Sequence, residues 1–113
     1  MKVMLHLRED VTPSRFATDL SKAIRSGEYK AWEVVHARPA LMIRHAGRFR
    51  GTITIKAAPV RRRAGDHRRP DVVATIGGNA GERVLVLRYF VYLIASKLGD
   101  QVEGFYVPVE PRD

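Results

Sequence analysis

Nine consecutive residues, Arg61-Arg62-Arg63-Ala64-Gly65-Asp66-His67-Arg68-Arg69, place five guanidiniums and one imidazole beside a single carboxylate. Like charges packed this closely repel one another unless an anion sits among them. The planar guanidinium fork matches phosphate oxygens two at a time and keeps its proton at any working pH. The chemistry on offer is polyanion binding, with Arg61, Arg62, Arg63, His67, Arg68 and Arg69 as contacts. Such binding releases counterions and weakens steeply with salt. The competing reading is a solvated loop tip with no partner.

A second basic stretch, Arg44-His45-Ala46-Gly47-Arg48-Phe49-Arg50, mixes cations with an aromatic ring. Phe49 would either stack on a base while Arg44, Arg48 and Arg50 hold phosphate, or fold back as a plug over the end of a sheet. Lys56 lies between the two basic stretches. Together they account for the charge of the chain. Its 113 residues carry 20 Lys and Arg against 12 Asp and Glu, a formal charge of +8. Residues 38–69 alone hold ten basic side chains and one acid, Asp66, a net of +9, which leaves the rest of the chain near neutral. A uniformly basic coat is thereby ruled out.

Catalytic chemistry finds less support. The chain has no cysteine, so disulfides, thiolate metal sites and cysteine nucleophiles are excluded. The histidines His6, His36, His45 and His67 show no HExxH or paired-ligand spacing. A metal-independent ribonuclease of toxin type would draw acid, base and phosphate clamp from Glu33, His36, His45 and Arg44. On a regular strand, however, Glu33 and His36 point to opposite faces. The run Gly77-Gly78-Asn79-Ala80-Gly81 precedes a helix, where free backbone N–H groups attract anions. It lacks the lysine and the spacing of a nucleotide-binding loop and reads as a turn. No catalytic residue, metal or cofactor is assigned.

These residues need elements to hold them. Lys2 to Arg8 alternates as a strand, with Val3, Leu5 and Leu7 on one face; no continuous apolar leader is read there. Thr12 as N-cap, Pro13 at the first helical position and Gly27 just past the end bracket a helix whose apolar stripe is Phe16, Leu20 and Ile24. Ala31 to Ala37 and Ala40 to Ala46 alternate as strands on either side of Pro39. Gly51 to Ala58 alternates as another, forming a hairpin with its predecessor. Asp71 to Ile76 is the return strand after the arginine-rich loop. A long helix is expected from Gly81 or Glu82 to Leu98, with Val84, Leu87, Val91, Ile94 and Leu98 in line and Val86, Phe90 and Leu93 widening the apolar face. Its most hydrophobic part, Val84 to Ala95, would span roughly 18 Å as a helix, against about 30 Å for a bilayer core, so it reads as a buried core helix. Phe105, Val107 and Val109 alternate in a final edge strand.

The order β-α-β-β-β-β-α-β predicts a single α+β domain over residues 1–113. Its mainly antiparallel sheet has five or six strands, with both helices packed on one face. The other face would then be open, and by alternation Met4, His6, Trp32, His36, Arg44, Thr52, Thr54 and Lys56 share it. No motif diagnostic of a split βαβ repeat, a TATA-binding-protein-like half or a bacterial ribonuclease toxin is present. The expectation is a small cytoplasmic protein that binds DNA or RNA without catalysis. A homodimer or an acidic protein partner is the alternative, and no membrane association is expected.

Overall fold

The computed structural model describes residues 1–27, 31–47, 51–58 and 71–108. The chain runs β1 (Lys2–Leu7), α1 (Pro13–Arg25), β2 (Trp32–His36), β3 (Leu41–His45), β4 (Thr52–Ala57), β5 (Val72–Gly77), α2 (Ala80–Lys97) and β6 (Val102–Tyr106). The six strands form one sheet in the order β2-β3-β4-β5-β1-β6, and every neighbouring pair is antiparallel. The fold is the expected α+β arrangement with six strands. Pro39 lies in the connection between two separate strands, preceded by a cis peptide bond after Arg38.

Alternation decides which side of the sheet carries the helices. Val3, Leu5 and Leu7 of β1, Ile43 of β3, Ile53 and Ile55 of β4, and Val72, Ala74 and Ile76 of β5 are buried on one face. Pairings such as Val3 with Ala74 and Ile53 with Ile76 keep these side chains together across strands. Phe16, Leu20 and Ile24 of α1 and Val86, Phe90, Leu93 and Ile94 of α2 pack onto them in one core. Each large apolar side chain removed from water in this way contributes about 1.5–3 kcal/mol.

The termini of α1 follow local rules. The Thr12 hydroxyl accepts from the Arg15 N–H at 3.1 Å, Pro13 opens the helix, and Gly27 takes a left-handed φ of 82° just beyond it. At the far end of the sheet, Gly51 is needed for space. A Cβ placed on it would stand 2.4 Å from a Val86 methyl, so a missing side chain lets α2 lie directly on the start of β4.

Three expectations are corrected. Trp32 belongs to the core face: it is 6% exposed, its ring edge-on to Phe90 at 6.4 Å and to His45 at 5.2 Å. It pairs with His45, whose side chain shares the face of buried Ile43. On α2, the stripe that begins at Val84 is buried only in its later part: Ile94 and Leu98 are in the core and Leu87 packs against it. Val84 is 57% exposed, and the core stripe is Val86, Phe90, Leu93 and Ile94. The helix is apolar around most of its circumference, so periodicity does not select a side. The last strand comes earlier than Phe105 to Val109, because β6 starts at Val102, opposite Leu7, with a register shift between His6 and Leu7. Val109 lies outside the described residues.

Candidate functional site

The strand pairings fix where the basic segments attach. Because β4 pairs antiparallel with both β3 and β5, its two connections leave opposite ends of the strand. One joins Gly47 to Gly51. The other leaves at Ala58 and returns at Asp71, where the Ala58 N–H donates to the Asp71 carbonyl at 2.9 Å. A six-residue strand separates these ends by about 20 Å. Asp71 ties its end down further: the Asp71 N–H donates to the Leu5 carbonyl, and the Asp71 carboxylate accepts from the Leu7 N–H, both at 2.8 Å.

Of the residues expected to bind a polyanion, Arg48, Arg50, Arg61, Arg62, Arg63, His67, Arg68 and Arg69 lie outside the described residues, as does Phe49. Arg44 and Lys56 are described, and both are exposed on the face away from the helices. Arg44 is held by an ion pair with Glu33, its direct cross-strand neighbour. Among the described residues, no element covers this face. His6 and Tyr106 stack on it at 5.7 Å, and Met4, Met42, Thr54, Val73 and Thr75 lie between them and the far edge.

The ribonuclease candidates do not converge. A bulge between Val34 and His36 shifts the register of β2 by one residue, so Glu33 and His36 share the open face instead of pointing apart. His45 is on the opposite face, against Trp32 and the Tyr89 ring at 5.4 Å. His36 Nδ1 donates to the Ala40 carbonyl at 3.0 Å, which closes the β2–β3 turn. Glu33, Arg44 and His36 therefore have structural partners, and His45 is separated from them by the thickness of the sheet. Among the described residues, no group of three or more His, Asp or Glu could hold a metal ion. The glycine-rich run is the β5–α2 connection: Gly78 has a φ of 120° and Asn79 caps the helix without a side-chain hydrogen bond.

Sequence reasoning missed a cleft. It has a volume of about 900 Å³ and lies between α1 and the β2–β3 turn, on the helix side of the sheet. One wall is the flank of α1 that carries Ser14, Thr18, Ser21 and Arg25, with Lys22 at the rim. The other is the turn Ala37-Arg38-Pro39-Ala40, and Leu41, Ile55, Ala57 and Val72 form the floor. The sequence signal was present in part: residues 14, 18, 21 and 25 recur at helical spacing as a polar stripe beside the apolar one. Comparison with protein families, with curated proteins and with solved structures finds no match to this chain.

Proposed function

We propose that this protein binds nucleic acid through phosphate contacts and does not act as a catalyst. The observation that carries the reading is the concentration of charge: ten basic side chains against one acid within residues 38–69, a segment that spans the end of the β2–β3 turn, β3, β4 and the connections at both ends of β4. A cation excess confined to one hairpin system favours an extended anion over a point-like one. The face left without a helix gives such a ligand room beside Lys56. No helix among the described residues is long and apolar enough to cross a membrane. A cytoplasmic location belongs to the same reading, since a chain without cysteine has no need of an oxidising compartment.

The test is fluorescence anisotropy with labelled single-stranded and duplex DNA and RNA at two salt concentrations. Wild type is expected to bind, with log K falling by about 0.7–0.9 per neutralised phosphate for each unit of log salt. Replacing Arg61, Arg62, Arg63, Arg68 and Arg69 together by serine is expected to weaken binding at least ~10-fold and to flatten that slope. Affinity that ignores both salt and these substitutions overturns the reading. Retention of an acidic protein in place of nucleic acid would redirect it to a protein partner.

Self-association is a second reading, favoured by one observation. β6 is an edge strand, and it and the residue after it present Phe105, Tyr106 and Val107 to solvent. An apolar sheet edge is a template for another strand.

A further inference from the structure

The cleft beside α1 combines three features that point to one kind of ligand. Lys22, Arg25 and Arg38 line it from both walls, and among the described residues no carboxylate does. None of these three cations makes an ion pair among the described residues; the acid of α1, Asp19, sits on the other flank, engaged by Arg15 at 3.7 Å and by Gln101 at 2.7 Å. Ser21 is only 9% exposed, yet it lines the cleft, and among the described residues its hydroxyl makes no hydrogen bond. Cations on both walls and an unspent hydroxyl donor over an apolar floor suit a group with several anionic oxygens attached to a less polar body.

The position of the cleft identifies the ligand more closely. Its floor ends at Ala57 and Val72, which face each other across β4 and β5. They are the last strand pair before the chain departs at Ala58 for the arginine-rich segment and returns at Asp71. Lys56 borders the same floor, with its side chain on the opposite face of the strand.

We propose that this cleft is a phosphate-binding site that receives the sugar-phosphate backbone of a nucleic-acid strand. The inference rests on the nucleic-acid reading above. Lys22, Arg25, Arg38 and Ser21 supply the fixed geometry that seats individual phosphates. The hydrogen bond from His36 to the Ala40 carbonyl holds the Arg38 wall in place.

Two probes separate this site from the reading it rests on. Inorganic triphosphate and a labelled single-stranded oligonucleotide are titrated into the full chain, with backbone amides followed by NMR and oligonucleotide affinity by anisotropy. The variants are Lys22→Ser, Arg25→Ser and Arg38→Ser combined, Ser21→Ala, and a charge-matched control carrying Lys2→Ser, Arg8→Ser and Arg88→Ser. All six cations are exposed, so both triple variants are expected to fold, and their amide spectra report it. Triphosphate is expected to move the amides of Ser21, Lys22, Arg25 and Arg38 saturably. The cleft variant is expected to abolish that response and to weaken the oligonucleotide more than the control does. Its salt slope is expected to fall by about 0.7 for each phosphate it no longer neutralises. Oligonucleotide binding that is equal in the cleft variant and the control overturns the cleft and leaves the nucleic-acid reading standing. Triphosphate bound in the cleft with no oligonucleotide binding overturns the nucleic-acid reading and keeps a phosphate site for a smaller ligand. Absence of both responses removes both.

Discussion

Single residues carry constraints that their type alone does not announce. Gly51 looks like an ordinary strand start, yet the Val86 side chain occupies the space that its Cβ would need. Gly51→Ala is expected to destabilise the fold by about 1–3 kcal/mol, since α2 must lift or Val86 must leave its rotamer. A urea midpoint equal to wild type would show that the packing of Val86 yields freely. Gln101 is a comparable case. Its side chain donates to Asp19 at 2.7 Å, its backbone N–H donates to the Leu98 carbonyl and its carbonyl accepts from the Arg8 N–H, so one buried residue links both helices to the end of β1. Glu33 and His36 show the limit of reading residues by parity: one extra residue in a strand moves everything after it to the other face, and nothing in the local composition marks the bulge.

At the scale of elements, the two helices behave differently. α1 has one apolar stripe, a hydroxyl cap, a proline at its first turn and a left-handed glycine after it. Each of these signals lies within a few residues of the feature it determines, so bounds and buried face were both legible. In α2 the periodic signal is nearly cancelled by apolar residues on every side. Val86, Phe90, Leu93 and Ile94 are buried, whereas Tyr92 is 70% exposed. Phe90→Ala is expected to cost about 3–5 kcal/mol, because the ring fills space against Trp32. Tyr92→Ser is expected to stay within about 0.5 kcal/mol of wild type in the same denaturation experiment. A reversal of that order would mean that the buried stripe of α2 is not the one seen. The strands were legible wherever one face is buried and the other polar. They were misread at β6, where exposed apolar residues continue past the strand and blur its end.

For the whole molecule, the sheet order joins distant stretches of chain. The crossover through α1 carries the chain from β1 to the far edge at β2, and that path brings the polar flank of α1 against the β2–β3 turn and the ends of β4 and β5. The second crossover, through α2, delivers β6 to the other edge, where its outer side has no partner strand among the described residues. If that edge mediates self-association, sedimentation velocity at high micromolar concentration should show a dimer, and Phe105→Lys with Val107→Lys should return a monomer without changing the thermal midpoint. A wild-type chain that sediments as a monomer throughout would remove this second reading. Salt separates the two modes of association, since phosphate binding weakens as counterions accumulate while an apolar edge does not.

By itself, the sequence determined the two helices, a sheet of five or six strands in their order, the buried faces of β1, β3 and β4, and the confinement of charge to residues 38–69; on β2, Trp32 and Glu33 lie on the faces opposite to those that alternation gives. The features so determined follow from alternation, capping and composition, which act over a few residues or simply add along the chain. Only the tertiary structure decided which side of α2 faces the core, where β2 slips its register, and that Glu33 and Arg44 pair away from His45. It alone brought Lys22, Arg25 and Arg38 to one cleft. Such arrangements depend on long-range pairing, in which a shift of one residue reverses a face and a crossover sets residues far apart in the chain side by side. The charge count points to an anionic partner, and the cleft proposed above is where the titrations look for it.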